Sequence, residues 1–144
     1  MKLGWCGNLV WMMVPDKNNI PTGNKILVAE DNEVNLSMLL EMLSIMNHKV
    51  IIARNGQEAI DLALTDKPEL IIMDISMPVM DGLEATRRLR EMEEFSAVPI
   101  LALTASAGEE GKAKCLDAGC TEHLPKPIQT KDLFEALSRN LPTN

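Results

Sequence analysis

The sequence has no tyrosine, and only two phenylalanines and two tryptophans. Its core must therefore be aliphatic. Cysteine is sparse: Cys6, Cys115 and Cys120, with no CxxC pair. That pattern argues against a disulfide framework or a thiolate zinc site, and it fits a reducing cytosol. Cys115 and Cys120 flank an expected helix end and are read as packing residues. No apolar run is long enough to span a bilayer. No GxGxxG or GxxxxGK[ST] pattern occurs, which argues against a nucleotide-binding protein. Positive charge is also short: the formal net charge is −7. Direct nucleic-acid binding needs a clustered basic surface, which is missing. The nearest cluster, Arg87, Arg88 and Arg90, reads as a solvated helix face or a protein contact.

What is present suits one domain. A chain of 144 residues with 46% apolar content can bury a real core. Residues 1–14 are apolar behind Lys2 but are broken by Gly4, Gly7 and Asn8, and no small-residue cleavage site follows. Residues 16–24 form a polar linker. Residues 1–24 are thus read as a flexible N-terminal extension, and residues 25–144 as the domain.

From Lys25 onward, short apolar runs alternate with helical patterns. Residues 25–29 read as a buried strand. Residues 34–46 follow, with Leu36, Leu39, Leu40 and Leu43 at helical spacing and Asn32 as cap. Residues 49–53 are a second strand. Asn55 and Glu58 resemble a capping box opening the next helix. Residues 70–73 are a third strand, with Asp74 at its C-terminal end. Asp81 and Glu84 repeat the cap pattern and open a helix to about Met92. Residues 99–103 are a fourth strand, ending at Thr104. Residues 109–118 are a helix, with Gly119 supplying a left-handed turn. Residues 121–124 make a short fifth strand, and Thr130 caps a last helix carrying Leu133, Leu137 and Leu141. Five β–α pairs with right-handed crossovers give an α/β fold with an open, doubly wound parallel sheet.

Such sheets bind ligands at the carboxyl ends of their strands. Strand one ends in Glu30 and Asp31, strand three in Asp74, strand four in Thr104, and Lys126 follows strand five. Alone, each has a plain structural role: a cap, a loop acid, a strand-end hydroxyl, a surface lysine. Their convergence points to chemistry. Three carboxylates at one sheet edge repel one another and ask for a cation. All-oxygen ligands favour Mg²⁺. A carboxylate can attack phosphorus to give an aspartyl phosphate. The cation, Lys126 and Thr104 would then serve the phosphoryl oxygens.

Four motifs in order, VAEDN, MDISMPVMDG, ALTAS and LPKPI, resemble the receiver domains of response regulators. The resemblance covers residues 25–141. It implies a flavodoxin-like (βα)5 fold with strand order 2-1-3-4-5. It implies Asp74 as phosphoacceptor and Mg²⁺ as cofactor. Asp31, Asp74 and the Ser76 carbonyl would be ligands, with Glu30 acting mainly through a metal-bound water. Thr104 and Lys126 would contact the phosphoryl group, and the Lys126–Pro127 bond would be cis. Pro78, Asp81 and Gly82 would shape the loop after the site. Ser76 and Ser106 hold positions that modulate phosphoryl hydrolysis. His123 stands where the family often has Tyr or Phe as a switch; a partly exposed histidine without that role is the plain alternative.

The EDNEVN segment resembles receivers of hybrid histidine kinases. The expected function is a cytoplasmic phosphoacceptor switch in a two-component system or phosphorelay. A histidine kinase or histidine phosphotransfer protein would be the donor. The fourth helix, fifth strand and fifth helix would form the partner face, with a phosphorylation-dependent homodimer as one use of it. Catalysis would be confined to the domain's own phosphorylation and dephosphorylation. The chain is either a stand-alone receiver or part of something larger. Two alternatives remain: an interaction module of the same fold without phosphorylation, and a haloacid-dehalogenase-type phosphatase. The latter typically carries a second Asp two residues after its nucleophile, where this chain has Ser76.

Overall fold

A computed structural model describes residues 23–105 and 108–141 of the chain. The expectations for residues 1–22 and for Ser106 lie outside the described residues. Five strands, β1 (Lys25–Ala29), β2 (Lys49–Ala53), β3 (Leu70–Asp74), β4 (Ile100–Thr104) and β5 (Glu122–Pro125), form one sheet. They alternate with α1 (Glu33–Ile45), α2 (Gly56–Asp66), α3 (Gly82–Arg90), α4 (Glu109–Ala118) and α5 (Thr130–Asn140). The strand order is β2-β1-β3-β4-β5 and every pairing is parallel. This is the expected flavodoxin-like fold. Among the described residues no helix is long and apolar enough to cross a membrane.

The period-two alternation of β1 sorts its side chains between two cores. Ile26 and Val28 pack with Leu36, Leu39 and Leu43 of α1 and with Leu133, Phe134 and Leu137 of α5. Leu27 and Ala29 pack with Ala59 and Ile60 of α2, Ala85 and Leu89 of α3, and Cys115 of α4. Both phenylalanines, Phe95 and Phe134, are fully buried among aliphatic side chains. Cys115 and Cys120 are buried too, as packing residues should be.

Helix starts follow the capping chemistry. Asn32, Asn55 and Asp81 each accept a bond from the backbone N–H three residues on, at 2.9 Å. Several boundaries differ from the sequence reading. Glu58 reaches back to the N–H of Arg54, not of Asn55, so the box closes one residue early. α3 stops at Arg90, and a 3₁₀ turn at Glu93–Phe95 carries the chain on. Thr130 is the first residue of α5; Gln129 occupies the cap and makes no side-chain capping bond. β2 is an edge strand and is not covered on both faces: Lys49 and Ile52 are exposed.

The arginine cluster divides. Arg87 and Arg88 pair with Glu84 on the exposed face of α3. Arg90 turns inward instead. Its guanidinium donates to the carbonyls of Phe95 (2.5 Å), Val98 (2.8 Å) and Gly119 (2.8 Å), and to Thr121 Oγ1 (3.3 Å). It ties the end of α3 to the approaches of β4 and β5. Arg90→Ala leaves these acceptors in need of water at a partly buried site. It is expected to cost about 3 kcal/mol, and Arg90→Lys to rescue little of it, because an ammonium cannot span the set. Urea denaturation of the three proteins checks this.

Candidate phosphoacceptor and metal site

The site lies where three strand ends meet. The Glu30 N–H bonds to Ala53 O at 3.0 Å, holding the chain beyond β1 against the end of β2. Glu30 is fully buried, and Asn32 N–H donates to its Oε1 at 3.0 Å. Asp31 next to it is exposed. Asp74, 1% exposed, ends β3 in register with Leu103 of β4. Its Oδ1 accepts from Ser76 N–H at 3.1 Å. Carboxylate oxygens of Glu30, Asp31 and Asp74 all lie within 4.8 Å of one another.

Lys126 completes the cluster. Its backbone N–H donates to Thr104 O at 2.8 Å, extending the β4–β5 ladder past Pro125, and its peptide bond to Pro127 is cis. Its Nζ stands 2.9 Å from Asp74 Oδ2 and 3.6 Å from Glu30 Oε2. The second distance is an ion pair but too long for a hydrogen bond. Glu30 Oε2 is buried and accepts no hydrogen bond from the described residues. Burial, reinforced by the neighbouring Asp74 carboxylate, pushes the Glu30 pKa up to about 7 against the opposing pull of Asn32 N–H and Lys126.

Three carboxylates crowd together, and Lys126 pairs with two of them. A buried acceptor lacks a donor. Every donor atom is a hard oxygen, with no Cys or His in the set. The residues fit a hard divalent ion such as Mg²⁺ and do not fit zinc.

The remaining expected residues lie around this centre. Thr104, 1% exposed, ends β4 and lines a pocket with Ile75, Glu110, Gly111 and Lys114. Ser76 is exposed in the loop after β3. His123 is half-buried on β5, in register with Ala102, and lines an open pocket with Lys112 and Leu116. The loop after Asp74 is pinned at both ends. Gly82 N–H donates to Ile75 O at 3.2 Å, and Gly56 N–H donates to Met80 O at 2.8 Å. The part played by Gly56 was hidden in the sequence, because it acts on a loop distant along the chain.

Comparison with known proteins agrees with this geometry. Residues 26–138 match the family model described as the response regulator receiver domain. The chain belongs to the receiver domain family. It is 34% identical to the polar-differentiation response regulator DivK of Brucella anthropi over 116 residues, spanning 81% of this chain and 94% of DivK. It resembles the receiver domain of sensor histidine kinase PA1611 from Pseudomonas aeruginosa, whose crystal structure has a magnesium ion in the active-site cleft. The TM-score there is 0.77 at 37% identity, covering 83% of this chain and 98% of that one. It also resembles the receiver domain of Saccharomyces cerevisiae Ssk1, crystallised with the histidine phosphotransfer protein Ypd1. That match has a TM-score of 0.78 at 31% identity, covering 84% of this chain and 90% of that one. This receiver is a two-component signalling module with an acidic cluster at the carboxyl edge of its sheet.

Proposed function

We propose that this receiver accepts a phosphoryl group on Asp74 in a Mg²⁺-dependent reaction and signals through the resulting change. The observation that carries the reading is the three-carboxylate cluster with Lys126 Nζ 2.9 Å from Asp74. The donor is a phosphohistidine of a histidine kinase or a histidine phosphotransfer protein. The Ypd1 complex with a similar receiver and the match to a histidine-kinase receiver support that choice.

An Asp74 carboxylate oxygen attacks phosphorus. The new O–P bond forms as the P–N bond to imidazole breaks, and the imidazole leaves with its electron pair. Asp31, Asp74 and the Ser76 carbonyl would hold the cation, with Glu30 acting mainly through water. A bound Mg²⁺ supplies charge neutralisation between the two anions. Lys126 moves from the Asp74 carboxylate to a phosphoryl oxygen, and the Thr104 hydroxyl donates to another. Movement of Thr104 toward the phosphoryl group biases the α4–β5 face, where His123 lies. Ser76, small and exposed in the loop after Asp74, leaves room for the hydrolytic water.

Beryllofluoride, which mimics a phosphoryl group on a carboxylate, tests the site without a donor. A titration in Mg²⁺ should show saturable binding followed by chemical-shift changes at Thr104, His123 and Lys126. Asp74→Asn should abolish it. Saturable binding retained in Asp74→Asn would point to another acceptor and sink the assignment.

A further inference from the structure

Cys115 and Cys120 take no part in the site above, yet their placement is specific. α4 ends in a two-bond turn: Gly119 N–H donates to Leu116 O and Cys120 N–H to Cys115 O, both at 3.0 Å. Gly119 has φ 107°, the left-handed value that closes this motif. In such turns the residues that share the outer bond bring their side chains together. Here both are cysteines, and both are buried in the same core cluster. Cys120 Sγ also lies 3.9 Å from Thr86 Oγ1. Arg90 holds the residues on either side of Cys120, at Gly119 O and Thr121 Oγ1.

We propose that Cys115 and Cys120 form a dithiol modification site that closes to an intrachain disulfide on exchange with a small-molecule disulfide, locking the end of α4 to the entry of β5. Cys120 reacts first. It lies in the turn outside the helix and is 5% exposed, against 0% for Cys115. Its thiolate attacks one sulfur of oxidised glutathione, the reagent S–S bond breaks, and one glutathione thiolate leaves. The Cys115 thiolate then attacks the Cys120 sulfur of the mixed disulfide and expels the second glutathione. Two electrons pass from the cysteines to the reagent, and the two thiol protons end on the two released glutathiones. Both thiols are buried, and burial pushes Cys120 up to about 11. Exchange therefore waits on local opening of the turn and is slow while it is shut. The product restrains the segment leading to His123 and Lys126.

The test uses the full chain with Cys6→Ser, so that only this pair can react. The native protein is incubated with oxidised glutathione, quenched with an alkylating agent and cut with trypsin. The peptide beginning at Cys115 contains both cysteines. It should lose two hydrogens and take up no alkyl group, and a further Cys120→Ala substitution should prevent this. Amide exchange at Gly119 and Cys120 should slow about tenfold in the oxidised protein. Full alkylation of both thiols, a glutathione adduct that never resolves, or a cross-link that leaves exchange unchanged would each overturn the proposal. None of these readouts depends on phosphorylation of Asp74.

Discussion

Gly82→Ala is expected to destabilise the domain by about 3 kcal/mol or more and to spoil the site with it. A Cβ at Gly82 would fall inside contact distance of the Asp74 carbonyl oxygen and 2.8 Å from Met73 Cγ. The first obstacle is backbone, so no rotamer change relieves it. Either α3 lifts away or the end of β3 shifts, and Asp74 is the last residue of β3. Lifting α3 also weakens the Gly82–Ile75 bond that closes the loop. Gly108 offers the contrast, since a Cβ there meets nothing within 4 Å. Gly108→Ala should stay within about 1 kcal/mol. Denaturation of both variants, with Mg²⁺ affinity measured on whatever remains folded, separates a packing effect from general sensitivity to alanine.

The second large effect is a stability trend with pH that Mg²⁺ reverses. In the metal-free protein, burial first and the Asp74 carboxylate second raise Glu30 from its ordinary 4.5 to about 7. A folded-state pKa above the unfolded one means that the folded protein binds the proton more tightly. The stabilisation is fully present below about 4.5 and is lost as pH rises through about 7. In chelator, Glu30 should therefore cost the protein stability on the order of 3 kcal/mol between pH 5 and pH 8. A divalent cation needs the carboxylates ionised, so it should stabilise most at pH 8 and least at pH 5. Urea denaturation at both values, with chelator and with Mg²⁺, checks both signs. Glu30→Gln should flatten the chelator trend. A trend that survives the substitution would place its origin elsewhere.

The sequence was informative where one local rule decides a position. Apolar runs at residues 26–28, 71–73 and 100–103 became strands because both faces are covered. Asn32, Asn55, Asp81 and Gly119 sit where capping chemistry puts them. The acidic cluster was readable because parallel strands deliver their C-terminal residues to one edge, whatever their separation along the chain. What escaped depends on distant partners. Arg90 resembles Arg87 and Arg88 in the sequence, but only its position at the end of α3 faces the carbonyls of the next loops. Ile52 reads like any core strand residue, and its exposure follows from β2 lying at the sheet edge. Thr130 satisfies the capping rule by type, yet the helix begins on it and Gln129 takes the cap without a side-chain bond. The placement of Cys115 and Cys120 at the two ends of one turn bond required the turn geometry. Spacing alone does not separate it from two unrelated packing residues.

Phosphorylation of Asp74 is tested by intact-mass measurement with peptide mapping after incubation with acetyl phosphate and Mg²⁺, beside Asp74→Asn. One added phosphoryl group at Asp74, prevented by prior chelation and absent from the variant, is the expected result. An adduct at another residue, or one at Asp74 that forms equally well in chelator, would contradict Mg²⁺-dependent phosphorylation of Asp74.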